Sequence, residues 1–304
     1  MIYSHSRLST FEQCPFKFKL RYIDEIKPEI ETTIEAHLGS AVHDTLEWVY
    51  IQVTQKNTVP TIDAVVTKYS ESWQKTFTNN IRIVRRNMTY KDYFNKGIKF
   101  LIDYYLKHKP FNDGTLELEK SILIDLDPEG KYKLRGFIDR LVKNTTTGEY
   151  EVHDYKTANR LPTQEKMDND RQLALYSIAI KEHFKTQNNV SLIWHYLAHN
   201  TKIVSKRTNE QLQKLKEDTV SLIKQVEATT EFPTYISVLC DWCEYKSMCP
   251  AHGGRVNETQ SKISQHITED KKIIQKEIKS GDEKELQEEI KDESESPDGT
   301  ENLN

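Results

Sequence analysis

The placement of the four cysteines constrains the fold of this chain more than any other feature. Cys14 stands alone near the start, and Cys240, Cys243 and Cys249 follow far along the chain in a Cys-x2-Cys-x5-Cys arrangement. Three thiolates at this spacing can reach one centre, and Cys14 can supply a fourth only if the two regions meet in the folded protein. We therefore expect a clasp between the N-terminal segment and the C-terminal cysteines.

A metal site is not the only use for four cysteines, since they could form two disulfides or remain unrelated core thiols. The first residues, Met-Ile-Tyr-Ser-His-Ser-Arg, contain no apolar run after a basic segment, so no secretory leader is predicted. We expect a cytoplasmic protein, in which disulfides are rare and a metal site is favoured. Zinc and a four-iron four-sulfur cluster both accept four thiolates, and the spacing alone does not separate them.

Composition argues against a membrane protein and divides the chain in two. No stretch approaches the roughly 18 consecutive apolar residues that a membrane span requires. Residues 256–304 hold fourteen acidic residues and seven lysines, whereas the whole chain has a net charge of −4, so residues 1–255 are mildly basic. The tail has too few apolar residues to form a core, which predicts disorder or a lone charged helix near 260–280.

Residues 1–255 are predicted to form one domain that begins with helices. Apolar residues recur on one face from Ser6 to Tyr22, which predicts a first helix. The segment from His37 to Tyr50 predicts a second helix that presents His43 on a definite face. Charged and aromatic residues at helical spacing then predict a helical insert of about 52–112.

The apolar period changes to two after the insert, which predicts three antiparallel strands joined by turns at Asp127-Pro-Glu-Gly and Asn144-Thr-Thr-Thr-Gly. A helix from Asp168 to Phe184 and a fourth strand from Ser191 to His199 follow, giving the order α-βββ-α-β. The apolar residues that carry the strand pattern are Leu116, Leu118, Ile122, Ile124, Leu134, Phe137, Leu141, Tyr150, Val152 and Tyr155.

Two acids and a lysine fall at the edge of this predicted sheet. Asp139 ends the apolar part of the second strand, and Asp154 and Lys156 project to one side of the third because alternate residues of a strand share a face. A hydrolytic phosphodiesterase needs oxygen ligands for magnesium or manganese and a cation beside the attacking water. An isolated Asp-x-Lys is a weak signal, so the neighbouring motifs decide its meaning.

Those motifs occur in a specific order. They are a Ser-x-Leu-x-x-Phe-x-x-Cys-Pro-x-x-Phe pattern from Ser6 to Phe18, Gly39-x-x-x-His43, Gly136-x-Ile-Asp139, Asp154-x-Lys156, Gln172-x-x-x-Tyr176 and the final Cys-x2-Cys-x5-Cys. Together they resemble the RecB-type branch of the PD-(D/E)XK nuclease superfamily over nearly all of residues 1–255. The cysteines resemble those of its iron–sulfur members, the AddB nuclease and the CRISPR-adaptation exonucleases of the Cas-four type.

The resemblance implies a restriction-endonuclease-like α/β core, in which a mixed sheet is flanked by helices and carries a helical insertion and a C-terminal iron–sulfur clasp. It also implies that Asp139 and Asp154 ligate the catalytic metal together with His43 and the backbone carbonyl of Tyr155. Lys156 would position and activate the attacking water. The metal would be magnesium or manganese, and the imidazole ligand suits manganese better.

The resemblance assigns two further groups. Gln172 and Tyr176, one helical turn apart, would orient the DNA strand or its end. Cys14, Cys240, Cys243 and Cys249 would hold a structural four-iron four-sulfur cluster, with zinc as the less favoured occupant.

Several of these residues have plainer interpretations. His43 could be a satisfied helix histidine, although Gly39 and the matching motifs favour the ligand. Glu119 fits the polar face of an alternating strand and is not counted as a ligand. Trp242 and Tyr245 could stack on a base, but shielding of the cluster is favoured.

A basic cluster in the helical insert is the one sequence feature with no preferred interpretation. Arg82, Arg85 and Arg86 could track a phosphate backbone or form a solvated helix face, and the sequence favours neither.

The expected function is a metal-dependent DNA exonuclease that prefers single strands or free ends and acts 5′ to 3′ in DNA repair, recombination or CRISPR adaptation. No Gly-x-x-x-x-Gly-Lys-Ser/Thr loop occurs, so no nucleotide cofactor is predicted, and a helicase or CRISPR-adaptation protein would be a separate partner. A non-catalytic DNA-end-binding subunit is the alternative, against which the intact Asp139, Asp154 and Lys156 argue. A zinc-clasped nuclease without iron is a third hypothesis.

Overall fold

A six-stranded mixed sheet forms the centre of the fold, with a hydrophobic core on each of its faces. The computed structural model describes residues 2–28, 30, 32–78 and 80–256. The tail from 257 onward, for which the sequence predicts disorder or a lone helix, lies outside the described residues. Within the described chain no helix is long and apolar enough to cross a membrane.

The helices and strands follow the predicted order. The strands are β1 Ile2–Ser4, β2 Thr32–Thr33, β3 Ile81–Arg82, β4 Thr115–Asp125, β5 Lys133–Lys143, β6 Tyr150–Lys156, β7 Ser191–Tyr196 and β8 Thr201–Ser205. The helices are α1 His5–Gln13, α2 Pro15–Phe18, α3 Ile34–Lys56, α4 Ile62–Thr76, α5 Tyr90–His108, α6 Gln164–Asp168, α7 Gln172–His183 and α8 Asn209–Ala228. The succession α3, β4, β5, β6, α7, β7 confirms the predicted α-βββ-α-β core.

The sheet mixes antiparallel and parallel pairs. β4, β5 and β6 form the predicted antiparallel meander, and β7 lies parallel to β6 because the segment with α6 and α7 crosses back over one face. β8 pairs with β7, and β1 pairs with the start of β5. The sequence analysis does not anticipate β1, β8 or α8.

One edge of β5 is shared between two partners, and a gap is left between them. β5 pairs with β1 through Lys133–Arg135 and with β6 through Arg140–Lys143. The intervening residues, 136 to 139, have neither partner on this edge. The sheet therefore opens into a fork, and Asp139 lies where β5 and β6 separate.

Three helices, α3 and the two that follow it in the chain, form a cap over one face of the sheet. α3, α4 and α5 pack on one another around a second hydrophobic core, which includes Tyr155 of β6. α3 starts at the N-cap Thr33, whose hydroxyl accepts a hydrogen bond from Ala36, and its length carries His43 over the fork. Arg82, Arg85 and Arg86 lie on β3 and the segment after it, so the helix-face interpretation of this cluster is wrong.

The predicted helix from Ser6 to Tyr22 is interrupted at Cys14. The backbone of Cys14 is extended, with φ −164° and ψ 106°, because the following Pro15 disfavours helical geometry at the residue before it. α1 ends before Cys14 and α2 starts after it, so the cysteine lies at a sharp break.

Three other sequence predictions differ from the structure. The helix expected from Asp168 begins at Gln172, because Arg207 donates to the carbonyls at the end of α6 and holds the break open. The strand expected to reach His199 ends at Tyr196 and continues as a 3-10 turn. Phe137, expected in the core, is 54% exposed because it lies on the open edge of β5.

Candidate active site and cysteine cavity

Three side chains that could hold a metal ion meet at the fork. His43 from α3, Glu119 from β4 and Asp139 from β5 each offer a ligand atom, and these atoms lie within 4.8 Å of one another. Carboxylate oxygens suit magnesium and manganese, and the imidazole suits manganese and later transition ions. The sequence analysis leaves Glu119 out of the ligand set, and the structure brings it into the group.

Glu119 belongs to the part of β4 that pairs with β5 beside Asp139, and the strand is irregular there. The φ of Glu119, 44°, lies in the left-handed region, which is uncommon for a residue other than glycine, and a bulge near Glu117 precedes it. Leu118 pairs with Arg140 and Lys120 with Ile138, so Glu119 lies across from Asp139, and this pairing of distant residues is not visible in the alternation of one strand. Partial burial, with the charges of Asp139 and Glu47 added, raises the pKa of Glu119 to about 7, although part of the side chain is exposed.

The backbone of Tyr155 ties α3 to the fork. Its carbonyl accepts a hydrogen bond from His43 Nε2 at 2.8 Å, and its amide donates to Asp139 Oδ2 at 2.9 Å. His43 Nδ1 lies 3.4 Å from the same oxygen of Asp139. Three of the predicted ligands, His43, Asp139 and the Tyr155 carbonyl, therefore lie together.

Asp154 and Lys156 project from β6 to the face covered by α7, as the strand period predicts. Lys156 Nζ donates to Asp154 Oδ1 at 2.9 Å and to Gln172 Oε1 at 3.4 Å. Burial raises the pKa of Asp154. The positive charge of Lys156 lowers that pKa and the negative charge of Asp139 raises it, and the net shift is upward. Burial lowers the pKa of Lys156, but the charge and hydrogen bond of Asp154 outweigh it and the net shift is upward. Lys156 is therefore an ammonium ion at neutral pH.

The second oxygen of Asp154 tests whether the site fits a divalent cation. Asp154 Oδ2 lies 2.8 Å from Lys156 Nζ, yet it is buried and accepts no hydrogen bond of acceptable geometry from the described residues. A buried carboxylate oxygen without a donor costs free energy that a cation would recover. The group of His43, Glu119 and Asp139 fits a divalent ion, whereas Asp154, a predicted ligand, lies near this group but is not among the atoms within 4.8 Å of one another.

A cleft of about 610 Å³ runs along the open edge of β5 to Asp139. Gln172 and Tyr176 line it from α7, one helical turn apart as predicted. Tyr176 lies over Gly136, where a Cβ atom would come within 2.2 Å of the ring. Phe137 lines the same cleft, so the residue that the strand pattern misplaces in the core belongs to the candidate site.

A buried polar network supports the fork from the cap side. Arg140 is fully buried and donates to Tyr155 Oη at 2.9 Å and to His153 Nδ1 at 2.8 Å. His195 Nε2 lies 2.8 Å from the same nitrogen of His153. Burial lowers the pKa of both histidines well below the ordinary value, so they stay neutral beside Arg140. His153 and Tyr155 thus point away from Asp154, as expected.

The four cysteines come together from the two ends of the described chain. Cys14, Cys240, Cys243 and Cys249 are all free thiols and line one cavity of about 220 Å³. No three of these sulfurs, all of which belong to the described residues, lie within 4.8 Å of one another. Tetrahedral zinc would require separations of about 3.8 Å between its thiolates.

Contacts beside the cavity join the N-terminal segment to the C-terminal loop. Phe16 donates its amide to the carbonyl of Pro233 at 3.1 Å, and Lys17 lies 2.8 Å from Glu244. Tyr245 is buried and donates its hydroxyl to the carbonyl of Ile26 at 2.9 Å. The side chain of Tyr245 is therefore part of the packing between the two segments and is not available to a base.

Three comparisons with known proteins were made. A family model described as the PD-(D/E)XK nuclease superfamily matches residues 2–250. The chain is similar to a solved structure described as SSO0001, with 18% identity, 71% of this chain and 85% of that chain covered, and a TM-score of 0.32. It is also similar to a protein from Eubacterium rectale described as "Putative exonuclease", with 11% identity, coverage of 78% and 86%, and a TM-score of 0.44. No curated protein matches the chain.

Proposed function

Because the chain belongs to the PD-(D/E)XK nuclease superfamily, we propose that it is a metal-dependent DNA exonuclease that acts on single strands or free ends. The observation that carries the proposal is the convergence at the fork of the group His43, Glu119 and Asp139 with the Asp154–Lys156 pair. Membership implies a nuclease that uses divalent metals. The preference for DNA, for ends and for the 5′ to 3′ direction is our proposal.

The proposed metal ligands are His43, Asp139, Asp154 and the carbonyl of Tyr155, with Glu119 as an addition from the structure. A divalent ion held by them would lower the pKa of a bound water and neutralise charge on the scissile phosphate. The chain's own contribution is preorganisation, since the Tyr155 amide already orients Asp139.

The proposed role of Lys156 is that of a cation beside the reacting phosphate. As an ammonium ion it cannot accept a proton from water, so it acts by donating hydrogen bonds and by stabilising negative charge that develops on phosphorus oxygens. Gln172 accepts a hydrogen bond from Lys156. Gln172 and Tyr176 would together hold the DNA strand along the cleft.

The proposed occupant of the cysteine cavity is a four-iron four-sulfur cluster with a structural role. No three of the sulfurs, all in described residues, lie within 4.8 Å of one another, which supports a cluster because its thiolates surround a larger core than a single zinc ion. The cavity fits four thiolate ligands, and burial raises the pKa of Cys243, so a cation is needed to favour its thiolate form. Zinc remains the alternative occupant.

We propose that residues 1–255 form one nuclease domain in which the insert and the cysteine clasp flank the route to the fork. A strand that must pass between them would enter by its end, which favours exonucleolytic action. The pathway would be repair, recombination or CRISPR adaptation, with any helicase supplied by another protein.

The test is a time course on single-stranded DNA labelled separately at each end, with magnesium or manganese. The wild type should release short products from the 5′ label, and Lys156→Ala should abolish the release. Lys214→Ala, which removes an exposed lysine of α8, is the matched control and should cleave like the wild type. Retained DNA binding without cleavage by the wild type would favour the DNA-end-binding subunit, and equal cleavage of closed circles would contradict action at ends.

A further inference from the structure

An aromatic slot opens on the outer face of the cap, away from the fork. It is a cavity of about 350 Å³, and we define it by its lining residues, which are Trp73, Gln74, Phe77, Tyr90, Lys91 and Phe94. Four of the six are aromatic, and they come from the end of α4 and the start of α5. Two of these aromatic residues are not buried in the core of the cap, since Phe77 is 39% exposed and Tyr90 is 58% exposed.

The rings of the slot pack on one another, and those of Phe77 and Tyr90 remain partly exposed. Trp73 lies 6.2 Å from Phe77 in a stacked arrangement, and Phe94 meets Trp73 edge-on at 5.4 Å. Tyr90 is tilted against Phe77 at 5.9 Å. Exposed aromatic rings that converge on one cavity suit a planar ligand, and a nucleobase presents such a π-face whatever its identity.

The segments that form the slot, and the loop that joins them, carry cations that suit a nucleic-acid backbone, and Lys91 lines the slot itself. Lys75, Arg85, Arg86 and Lys91 are exposed, and none of them has an ion pair with a described residue. The nearby Asp92 is engaged as the capping residue of α5, where it bonds Thr89. The slot therefore combines stacking surfaces with unpaired cations, the combination that binds single strands without sequence preference.

The slot also lies within reach of the candidate active site. His37 contacts Trp73 at 4.4 Å and Phe77 at 5.6 Å between ring centroids. His37 and His43 belong to the same helix, α3, and six residues correspond to about 9 Å along a helix axis. A short length of strand could therefore span from the slot to the fork.

We propose that the aromatic slot binds a nucleobase of a single-stranded nucleic acid, stacked on the exposed ring of Tyr90, while Arg85, Arg86 and Lys91 contact the adjacent phosphates. The slot would hold the same DNA strand that is cleaved at the fork. This part of the inference rests on the proposed function.

The experiment measures equilibrium binding of a fluorescent single-stranded DNA oligonucleotide to the full chain, with EDTA present so that no cleavage occurs. Tyr90→Ala should weaken binding about tenfold, the scale of one lost base stack. Tyr90→Phe keeps the ring and should restore binding. Leu106→Ala removes an equally exposed apolar side chain from the other end of α5 and should change nothing.

A second probe separates bases from phosphates. An oligonucleotide of abasic sites keeps the backbone charge, so wild type and Tyr90→Ala should bind it equally. Arg85→Gln with Arg86→Gln should weaken both probes and reduce the dependence of binding on salt. If the wild type binds base-bearing and abasic strands equally, the slot does not hold a base, and its aromatic face belongs to a protein partner.

The outcomes distinguish this inference from the proposed function. Cleavage by the wild type with no effect of Tyr90→Ala on binding would overturn the slot and leave the nuclease intact. Binding that depends on Tyr90 without any cleavage would support the slot and overturn the exonuclease. Far-ultraviolet circular dichroism of each variant checks that it is folded.

Discussion

The fork and the cysteine cavity are the two places where we propose that a cation binds, and their side chains are held differently. At the fork, His43 and Asp139 are already fixed by the backbone of Tyr155 through hydrogen bonds of 2.8 and 2.9 Å. At the cysteine cavity, the sulfurs lie apart, and the adjoining core cluster has only four buried members, Leu20, Ile26, Tyr245 and Met248. The fork is therefore held by the fold, whereas the cavity needs its ligand to complete it.

This difference follows from where the residues lie along the chain. The ligands of the fork belong to the sheet and to the long helix α3, which the two main hydrophobic cores stabilise. The cysteines belong to a break between short helices and to a loop with only 3-10 turns. Loss of the proposed ion at the fork should thus lower the cleavage rate. Loss of the proposed ligand of the cysteine cavity should lower the free energy of unfolding.

The largest expected effect is the loss of cleavage in Asp139→Asn. The amide keeps the shape of the carboxylate but removes the charge that a divalent ion requires, and we expect a loss of more than about a thousandfold in rate. The melting temperature should change little, since the fold fixes the fork without the ion. Cleavage rate and melting temperature, measured on the same sample, check both parts.

Asp125→Asn is the control for this prediction, because Asp125 is an exposed carboxylate of the same sheet that pairs with Lys133. It should keep full activity. Unfolding of Asp139→Asn would contradict the comparison, because it would show that the fork depends on its charge for stability.

The opposite pattern is expected for Cys249→Ser. A ligand that binds only the folded state stabilises it by about 4 kcal/mol at a thousand times its dissociation constant, and its loss should lower Tm by roughly 10 °C. Activity below the new Tm should fall much less than in Asp139→Asn. A chelator should lower the Tm of the wild type and leave the variant unchanged.

The occupant can be identified in the same samples. Visible absorbance in anaerobically purified wild type, absent from Cys249→Ser, would indicate iron and sulfur, whereas a colourless protein with bound zinc would reverse our assignment. If the chelator leaves the Tm of the loaded wild type unchanged, the cavity does not need a metal and the comparison fails.

Much of the fold was predictable because its signals are local. The period of two predicted the meander of β4, β5 and β6, and it placed Asp154 and Lys156 on one face. The helical period predicted α3 and the face of His43. These patterns depend on neighbouring residues alone, so no tertiary contact was needed to recognise them.

What the sequence did not predict depends on distant contacts. Glu119 joins the metal group through the pairing of β4 with β5, which puts it across from Asp139, and the apolar pattern of one strand does not indicate that pairing. Phe137 reaches the cleft because β1 and β6 leave a gap on one edge of β5. α7 begins at Gln172 because Arg207, far along the chain, binds the carbonyls at the preceding break.

A smaller effect is expected from Gly136→Ala, which alters the wall of the cleft without touching a proposed ligand. The new Cβ would lie 2.2 Å from the ring of Tyr176, so the ring must move or the strand must shift. We expect a loss of 1 to 3 kcal/mol, on the order of other overpacked sites, in the free energy of unfolding by urea. DNA binding should weaken because Tyr176 is displaced.

Gly39→Ala is the matched control, since the nearest atom to its Cβ, Thr157 Oγ1, lies at 3.6 Å and the residue is inside α3. It should be neutral or stabilising by up to about 1 kcal/mol. Tyr176→Ala combined with Gly136→Ala should recover the part of the stability that the steric conflict removes. Without such recovery, the glycine would be required for a reason other than the ring.

The smallest effect should appear as a pH dependence that belongs to the fork and not to the cavity. Burial lowers the pKa of His108, a member of α5 that meets His195 edge-on behind the fork, from 6.5 to about 4. The unfolded chain therefore binds a proton at higher pH than the folded chain, so stability falls as pH drops from about 6.5 towards 4. Gln cannot take up this proton. Between pH 7 and pH 5 the free energy of unfolding of His108→Gln should therefore fall by about 1 kcal/mol less than that of the wild type, after discounting for partial exposure. A pH dependence in His108→Gln equal to that of the wild type would contradict this assignment.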